Sequence, residues 1–436
     1  MDDPEAPPIP APSPTPVPVS AVSRARWGVG LVFFVNGAAF ASWVSRIPAL
    51  REAMALSDGA LGSVLFAMSC GVLLSFPLAG KGAQLLGARQ LALLAGVVLL
   101  LMLPMPFLIG IVPSLALVML EVGAALGTMQ VAMNVLAVDV QARVPRPIMS
   151  SLHGAWSAGG LVGAGLGSLA AHAGLPPLLH LIAVAVGLGG VLLLALMLLL
   201  RARLPARSTA LPAAMQPSMS FRRRGPRVDR VLLGLGVICF CAFLVEGALA
   251  DWSAVWLHDK AHASESLAAL GYAMFAGAMT AMRMVGDRLL EIFGSVRLLR
   301  LFTALGAIAL AGALLLARVD TAMIAFVLLG LGMATVVPTA FAAAGRRADA
   351  LSVGVGVAGE VSAARAVALL SGFGYSGLLI GPPLIGWLAQ ASSLTWALGL
   401  LVLLVAAVAA LVPLLGERAA PPGTGRQQPA REPAAG

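Results

Sequence analysis

Charge is what this chain has least of. Asp, Glu, Lys and Arg together make up 11% of its 436 residues, against about a quarter in soluble domains, and a shortage of that size excludes an ordinary water-solvated globule. Cysteine is nearly absent as well. Cys70, Cys239 and Cys241 all lie in apolar segments, and two of them at i, i+2 point to different sides of a helix, so neither a disulfide framework nor a metal cluster follows. The run HDKAH at His258 to His262 mimics a two-histidine zinc site but has no evident third ligand. The chain contains no GxxxxGK[ST] phosphate loop, no Gly-x-Ser-x-Gly elbow, and no nucleophile and base at helical spacing. From these absences we expect neither an enzyme nor a bound cofactor or metal.

What is present is hydrophobicity, at 59% of residues. Runs of about 20 mostly apolar residues, enough to cross roughly 30 Å of hydrocarbon as a helix, recur along nearly the whole chain. They are too long and too uniformly apolar for β-barrel strands, which alternate polarity over about 10 residues. Twelve spans are expected, starting near residues 27, 59, 90, 113, 149, 177, 231, 266, 297, 321, 367 and 393. This is an all-α integral membrane protein. Residues 1–26, with PPIPAPSPTPVPV at their centre, and 416–436 read as disordered tails.

The longest polar interruption, 201–230, is a basic linker that divides the spans into bundles 27–200 and 231–415. Placing it in the cytoplasm also places Lys81, Arg89, Arg143, Arg288 and Arg346 inside and leaves Arg46, Arg51, Lys260 and Arg318 outside. That is the bias expected of a multi-pass protein in a bacterial inner membrane with both termini cytoplasmic. The net charge of +9 is thus an orientation signal scattered over short loops. It is no nucleic-acid footprint, which would gather on one soluble face.

The halves repeat. NGAAFASW (Asn36 to Trp43) pairs with EGALADW (Glu246 to Trp252), Leu61-Gly62 with Leu270-Gly271, and WSAGGLVG (Trp156 to Gly163) with GYSGLLIG (Gly374 to Gly381). Two six-helix bundles in the same orientation imply a pseudo-two-fold along the membrane normal, with a cavity between them near mid-depth. Asn36 falls near the bilayer centre and Glu246 somewhat further out; a carboxylate at the centre of a span costs about 2.5–3.5 kcal/mol on insertion scales and so faces a wet cavity or a partner. In a cavity it can take and release protons as access alternates. The competing structural reading is a hydrogen bond to another helix, worth about 0.6 kcal/mol on average.

Other polar positions offer weaker signals. Gln130 and Asn134 share one helix face and suit either a polar solute or a helix tie. Six glycines over SSLHGAWSAGGLVGAGLG favour close helix packing, with Trp156 as a residue to test for ligand contact. Tyr375, opposite Ser157 in the repeat, is a cavity candidate. Arg283 and Asp287, one turn apart, are expected to form an intrahelical pair. Asp251, about 140° round the helix from Glu246, reads as a rim or loop-capping residue.

The runs NGAAFASWVSRIP, LSDGALGSVLF, VAMNVLAVDV, RPIMSSLHGAWSAGG, FLVEGALADWSAVWL and GFGYSGLLIGPPLIG resemble the major facilitator superfamily, and within it the bacterial YbjJ-like branch related to sugar permeases. The resemblance implies a twelve-helix, alternating-access secondary transporter, usually monomeric, moving a small-molecule solute with or against a proton. It also implies a latch in the loop between spans 2 and 3. There Gly80, Gly87 and Arg89 fit the superfamily's Gly-x-x-x-Asp-Arg-x-Gly-Arg-Arg pattern, while Gln84 and Leu85 replace its Asp-Arg pair. Asp287-Arg288 looks like the counterpart retained in the second half, with Arg283 beside it. The branch places Asp where this chain has Gln130, which leaves more of any proton transfer to Glu246. Asn36, Trp43, Gln130, Asn134, Trp156, Glu246 and Tyr375 are the expected cavity wall. The reading from a different class is a membrane protein that senses a ligand without moving it.

Overall fold

A computed structural model describes residues 18–144, 148–202, 229–352 and 363–416. Most of the expected tails and linker therefore lies outside the described residues. The helices are α1 (Val19–Val44), the short α2 (Ile47–Ala53), α3 (Asp58–Leu86), α4 (Ala88–Met102), α5 (Val112–Gln141), α6 (Met149–His172) and α7 (Pro177–Ala202). Beyond the linker follow α8 (Arg230–Asp259), α9 (Glu265–Phe293), α10 (Ser295–Leu316), α11 (Val319–Met333), α12 (Val336–Ser352), α13 (Ala363–Ala391) and α14 (Leu394–Leu411).

Eleven stretches among the described residues are long and apolar enough to cross a membrane, with α11 and α12 forming one of them. The twelfth span is α6, whose six glycines and two histidines dilute its apolar content. Two expectations need correction. Helix α1 starts at Val19, not near 27, because Pro18 is the last of the prolines and VSAVSRAR contains no residue that breaks a helix. The tenth span is interrupted at Ala334 and Thr335. Pro338 has no N–H to give the Ala334 carbonyl four residues back.

The two halves are built alike. In the first, α1 packs against α5, α6 and α7, α3 against α5, and α4 against α5 and α7. In the second, α8 packs against α13 and α14, α9 against α11, and α10 against α11 and α14. The halves meet along α3 with α13 and along α6 with α9, the two contacts that a two-fold parallel to the helices interchanges. Small details repeat too. Ser57 caps α3 and Ser264 caps α9, each accepting from the backbone N–H three residues on at 3.3 Å. Gly87 and Gly294 make the turns into α4 and α10 with φ of 85° and 80°, a backbone that glycine adopts without cost.

Glycine contacts relate the two halves turn by turn. A Cβ on Gly37 would meet the Trp156 carbonyl, and one on Gly374 would meet the Phe243 ring. A Cβ on Gly159 would meet the Phe34 carbonyl, and one on Gly377 that of Phe240. These contacts match the motif pairing of Trp156 with Gly374 and set Gly37 opposite Phe243, so the pairing of Asn36 with Glu246 is one helical turn out of step and Glu246 stands opposite Phe40. Small residues recur too often in α1 and α8 for sequence matching to distinguish neighbouring turns.

Candidate functional site

The ends of the molecule differ. The end carrying Val19, Ala202, Arg230 and Gly416 is called here the linker end; the other is the far end. At the far end both seams between the halves are closed. Ser168 Oγ donates to Ser266 O at 2.9 Å, Gly59 N to Gln390 Oε1 at 3.3 Å and Trp387 Nε1 to Ser63 Oγ at 3.3 Å. Gly62 and Gly386 bring the backbones of α3 and α13 into contact. Arg51 pairs with Asp58 at 2.8 Å and with Asp259 of the other half. At the linker end the described pairs stay within one half: Arg26 with Ser151, Arg143 with Asp139, and Arg347 with Asp229. Arg347 holds the Asp229 carboxyl below its usual range.

Arg46 is the hub of the far end and only 1% exposed. Its Nε donates to His180 Nδ1 at 3.1 Å, Nη2 to Leu175 O at 3.3 Å, and Nη1 reaches Glu265 Oε2 across the seam at 3.4 Å. Burial pulls its pKa below the ordinary value and Glu265 opposes that. A guanidinium stays charged in proteins. Sequence reasoning treated Arg46 only as an outer-loop cation. Outside the seam a cleft of about 430 Å³ holds His172 and Glu265 but no Trp, Tyr or Phe.

The chemistry gathers in mid-molecule, where Trp156, Ser157 and Gly160 of α6 face Glu246 of α8 and Tyr272, Phe275, Met279 and Arg283 of α9. The empty space between them totals about 280 Å³, of which about 10 Å³ admits the centre of a water molecule. Rings close its rim. Phe40 of α1 stacks on Trp156 with centroids 6.4 Å apart and meets Tyr272 edge-on at 6.3 Å. Glu246 is half-buried, and no hydrogen bond or ion pair to it occurs among the described residues. Arg283 lines the cavity with part of its side chain while the residue as a whole is exposed, and its Nε donates to Ala334 O at 3.3 Å. It thereby supplies the bond that Pro338 cannot.

The expected cavity residues therefore separate. Trp156 and Glu246 line the cavity. Asn36 is fully buried behind it, accepting from Trp156 Nε1 at 2.9 Å and donating to Leu126 O at 3.3 Å, so it is a tie among α1, α5 and α6 that fixes the indole. Trp43 is buried in the core. Asn134 Nδ2 donates to the backbone carbonyl of Gln130 at 2.8 Å within α5, a bond that does not involve the Gln130 side chain; Gln130 is half-buried and does not line this cavity. Tyr375 belongs to the other seam, with its ring 5.1 Å from Phe76 and 6.1 Å from Phe243.

The latch candidates are also sorted. Gly80 is buried, Gly87 makes the turn already described, Arg89 is half-buried and Arg288 exposed. The side chain of Asp287 lies outside the described residues, and with it the expected intrahelical pair with Arg283; Arg283 itself lines the cavity. Asp251 needs correction as well. It is 4% exposed, not on a rim, and lies within electrostatic reach of Tyr272 together with Glu246 and Arg283. Tyr272, one of only two tyrosines, went unnoticed in the sequence.

A family model settles what this architecture belongs to. That of the Major Facilitator Superfamily matches residues 29–364. The chain belongs to the Major Facilitator Superfamily. It is 37% identical over 281 residues to an uncharacterized MFS-type transporter of Yersinia pestis, covering 64% of this chain and 70% of that one. The fold is similar to the crystal structure of the nucleoside transporter NupG (TM-score 0.65, 12% identity, 90% of this chain and 99% of that one). It is also similar to a bacterial homolog of the human lysosomal transporter Spinster, inward-facing and occupied (TM-score 0.64, 15% identity, 90% and 96%). This superfamily member is a multi-pass membrane protein and a secondary transporter of a small-molecule solute, built from two pseudo-two-fold related six-helix bundles.

Proposed function

We propose that this transporter works by alternating access between its two halves, with Glu246 carrying the coupled proton and Trp156, Tyr272 and Arg283 forming the solute wall. The observation that carries this reading is the position of Glu246. It stands midway along α8, on the space between the bundles, without a protein partner among the described residues. An ionisable group so placed in a membrane marks a substrate or proton path. The basic linker supports assigning the linker end to the cytoplasm of a bacterial cell and the protein to its inner membrane. On that assignment the described form is closed to the outside. Opening outward would separate Arg46 from Glu265 and bring Gly80, Gly87 and Arg89 toward Asp287 and Arg288 as the inner latch. The cavity draws on both halves of one chain, which favours a monomer. The motif runs favour the YbjJ-like branch.

The test uses purified protein in proteoliposomes loaded with radiolabelled amino acids, sugars, nucleosides or organic acids. The expected result is counterflow of at least one solute and accumulation driven by an imposed pH gradient. Glu246→Gln should abolish the accumulation and leave counterflow. Accumulation undiminished in Glu246→Gln overturns the proton assignment. Counterflow absent for every solute favours a ligand sensor.

A further inference from the structure

The cavity is lined by one negative and one positive charge, and neither has an ion-pair partner among the described residues. Glu246 on α8 and Arg283 on α9 both line it, yet no carboxylate lies within ion-pair distance of Arg283 among the described residues. At ~1.5 Å per residue, Glu246 stands about 24 Å from the start of α8, and Arg283 about 15 Å from the end of α9. Both helix ends named are at the linker end, so the two charges differ in depth by about 9 Å. That offset lets both border one space without meeting.

Arg283 is also held in a particular way. Its Nε is occupied by the Ala334 carbonyl, the acceptor left without a helical donor by Pro338. A guanidinium has five N–H donors in a rigid fork. With Nε fixed, the Nη edge is the part left to the cavity, and it matches the two oxygens of a carboxylate. At the other end of the space, Glu246 is accompanied by the Trp156 and Tyr272 rings. A carboxylate beside aromatic faces is a setting for a cationic group.

We infer that the solute of this transporter is a small zwitterion, its anionic group on the Nη edge of Arg283 and its cationic group on Glu246 beside the Trp156 and Tyr272 rings. This rests on the transporter reading above and sharpens it. A zwitterion compensates both unpaired charges and brings no net charge into the membrane. A neutral sugar or nucleoside leaves both without a counter-charge, and a simple anion leaves Glu246 unpaired and repelling it. Closing the bundles over a charge that has no partner is the costly case.

The test is thermal unfolding of the full-length protein in detergent, with millimolar probes in matched sets. The zwitterions are the standard L-amino acids and glycine betaine. The single-charge probes are the corresponding carboxylates without the amine and the amino-acid amides, and the neutral ones are glucose and uridine. A bound ligand raises the melting temperature through its preference for the folded state. At least one zwitterion should raise it, while its single-charge analogues give less than a third of the shift. Glu246→Gln and Arg283→Gln should each erase the response. Because Arg283→Gln also disturbs the Ala334 carbonyl, Arg283→Lys, which keeps a donor and the charge, should restore part of it. Arg318→Gln, on the exposed far-end loop, should leave it intact.

Stabilisation by glucose or uridine alone overturns the proposal, as does an equal response to a zwitterion and its bare carboxylate, or no response to any zwitterion. Counterflow separates the two failures. Exchange of a neutral solute leaves the transporter standing and removes the zwitterion; exchange of nothing removes the transport reading itself.

Discussion

Asn36 and Glu246 are paired by the sequence repeat, and the protein treats them in opposite ways. Asn36 is sealed among α1, α5 and α6 with both ends of its amide bonded, and its product is a fixed Trp156 ring. Glu246 has no bond and faces the space between the bundles. The contrast extends outward from the pair. The first half contributes rings and backbone to the cavity, through Trp156, Phe40 and Gly160, whereas the second contributes both charges and the phenol. A repeated scaffold supplies the two-fold geometry needed for rocking. Chemistry is confined to one copy, where an uncompensated charge can respond to solute or proton without weakening the other bundle.

The sharpest way to break this comparison is to make the two positions alike. Glu246→Gln converts the second half to the amide chemistry of the first, and coupled accumulation should be abolished in proteoliposomes under a pH gradient while the protein folds normally. The reverse change, Asn36→Asp, introduces a second acid at the sealed site. It should lower thermal stability and confer no proton coupling, because no cavity reaches it; recovered coupling in the double variant Asn36→Asp, Glu246→Gln would show that the halves are interchangeable.

Next in size is the packing that keeps Asn36 dry. Gly37 lies against the Trp156 backbone so closely that a Cβ there would overlap the Trp156 carbonyl. Backbone cannot yield as a side chain can, so Gly37→Ala should cost about 1–3 kcal/mol, the usual range for overpacking, read as a lower melting temperature. Gly165, with open space around it, is the control, and Gly165→Ala should change little. Equal effects at the two sites would mean that close approach of α1 and α6 is unimportant. A smaller effect belongs to the bond itself. A double-mutant cycle of Asn36→Ala with Trp156→Phe should return about 0.6 kcal/mol, the average for such bonds in membranes.

Much of the scaffold was legible in the sequence because a bilayer imposes length and composition on every span. Eleven of the twelve starts fall within four residues of where the helices begin, and several follow from apolar runs meeting Ser, Gly or Pro, as at Ser57, Gly87 and Ser264. The break at Ala334 was also written in the chain, in Pro338, but a proline does not say whether a helix kinks, breaks or finds another donor. That donor, Arg283, comes from 51 residues away. Its i, i+4 neighbour Asp287 offered a simpler local partner, and nothing in the local sequence pointed to the Ala334 carbonyl. Asp251 and Tyr272 show the same limit from the other side. Helical angle separates Asp251 from Glu246 on one helix, yet burial of Asp251 depends on what the neighbouring helices cover. Tyr272 sits in an apolar run with nothing around it in sequence to distinguish a core ring from a cavity ring.

The least effect is expected where charge looks most conspicuous, at the far-end seam. Glu265 is 40% exposed, and its partner Arg46 keeps its bonds to His180 and Leu175 without it. Exposed ion pairs contribute about 0–1 kcal/mol, so Glu265→Gln should shift the balance between closed and open forms by no more than about five-fold. The closure also rests on the Arg51–Asp259 pair, on Ser168 with Ser266 and on the glycine contact of α3 with α13, the last two of which do not depend on charge. Spin labels on cysteines placed at the exposed positions Glu52 and Lys260, in a background without Cys70, Cys239 and Cys241, would report the separation across the seam. A largely closed distribution in Glu265→Gln, little changed by salt, is the outcome expected of a packed seam. A far end that opens fully on losing this one charge would make the seam an electrostatic gate, and would move part of the chemistry assigned to the middle of the second half out to its edge.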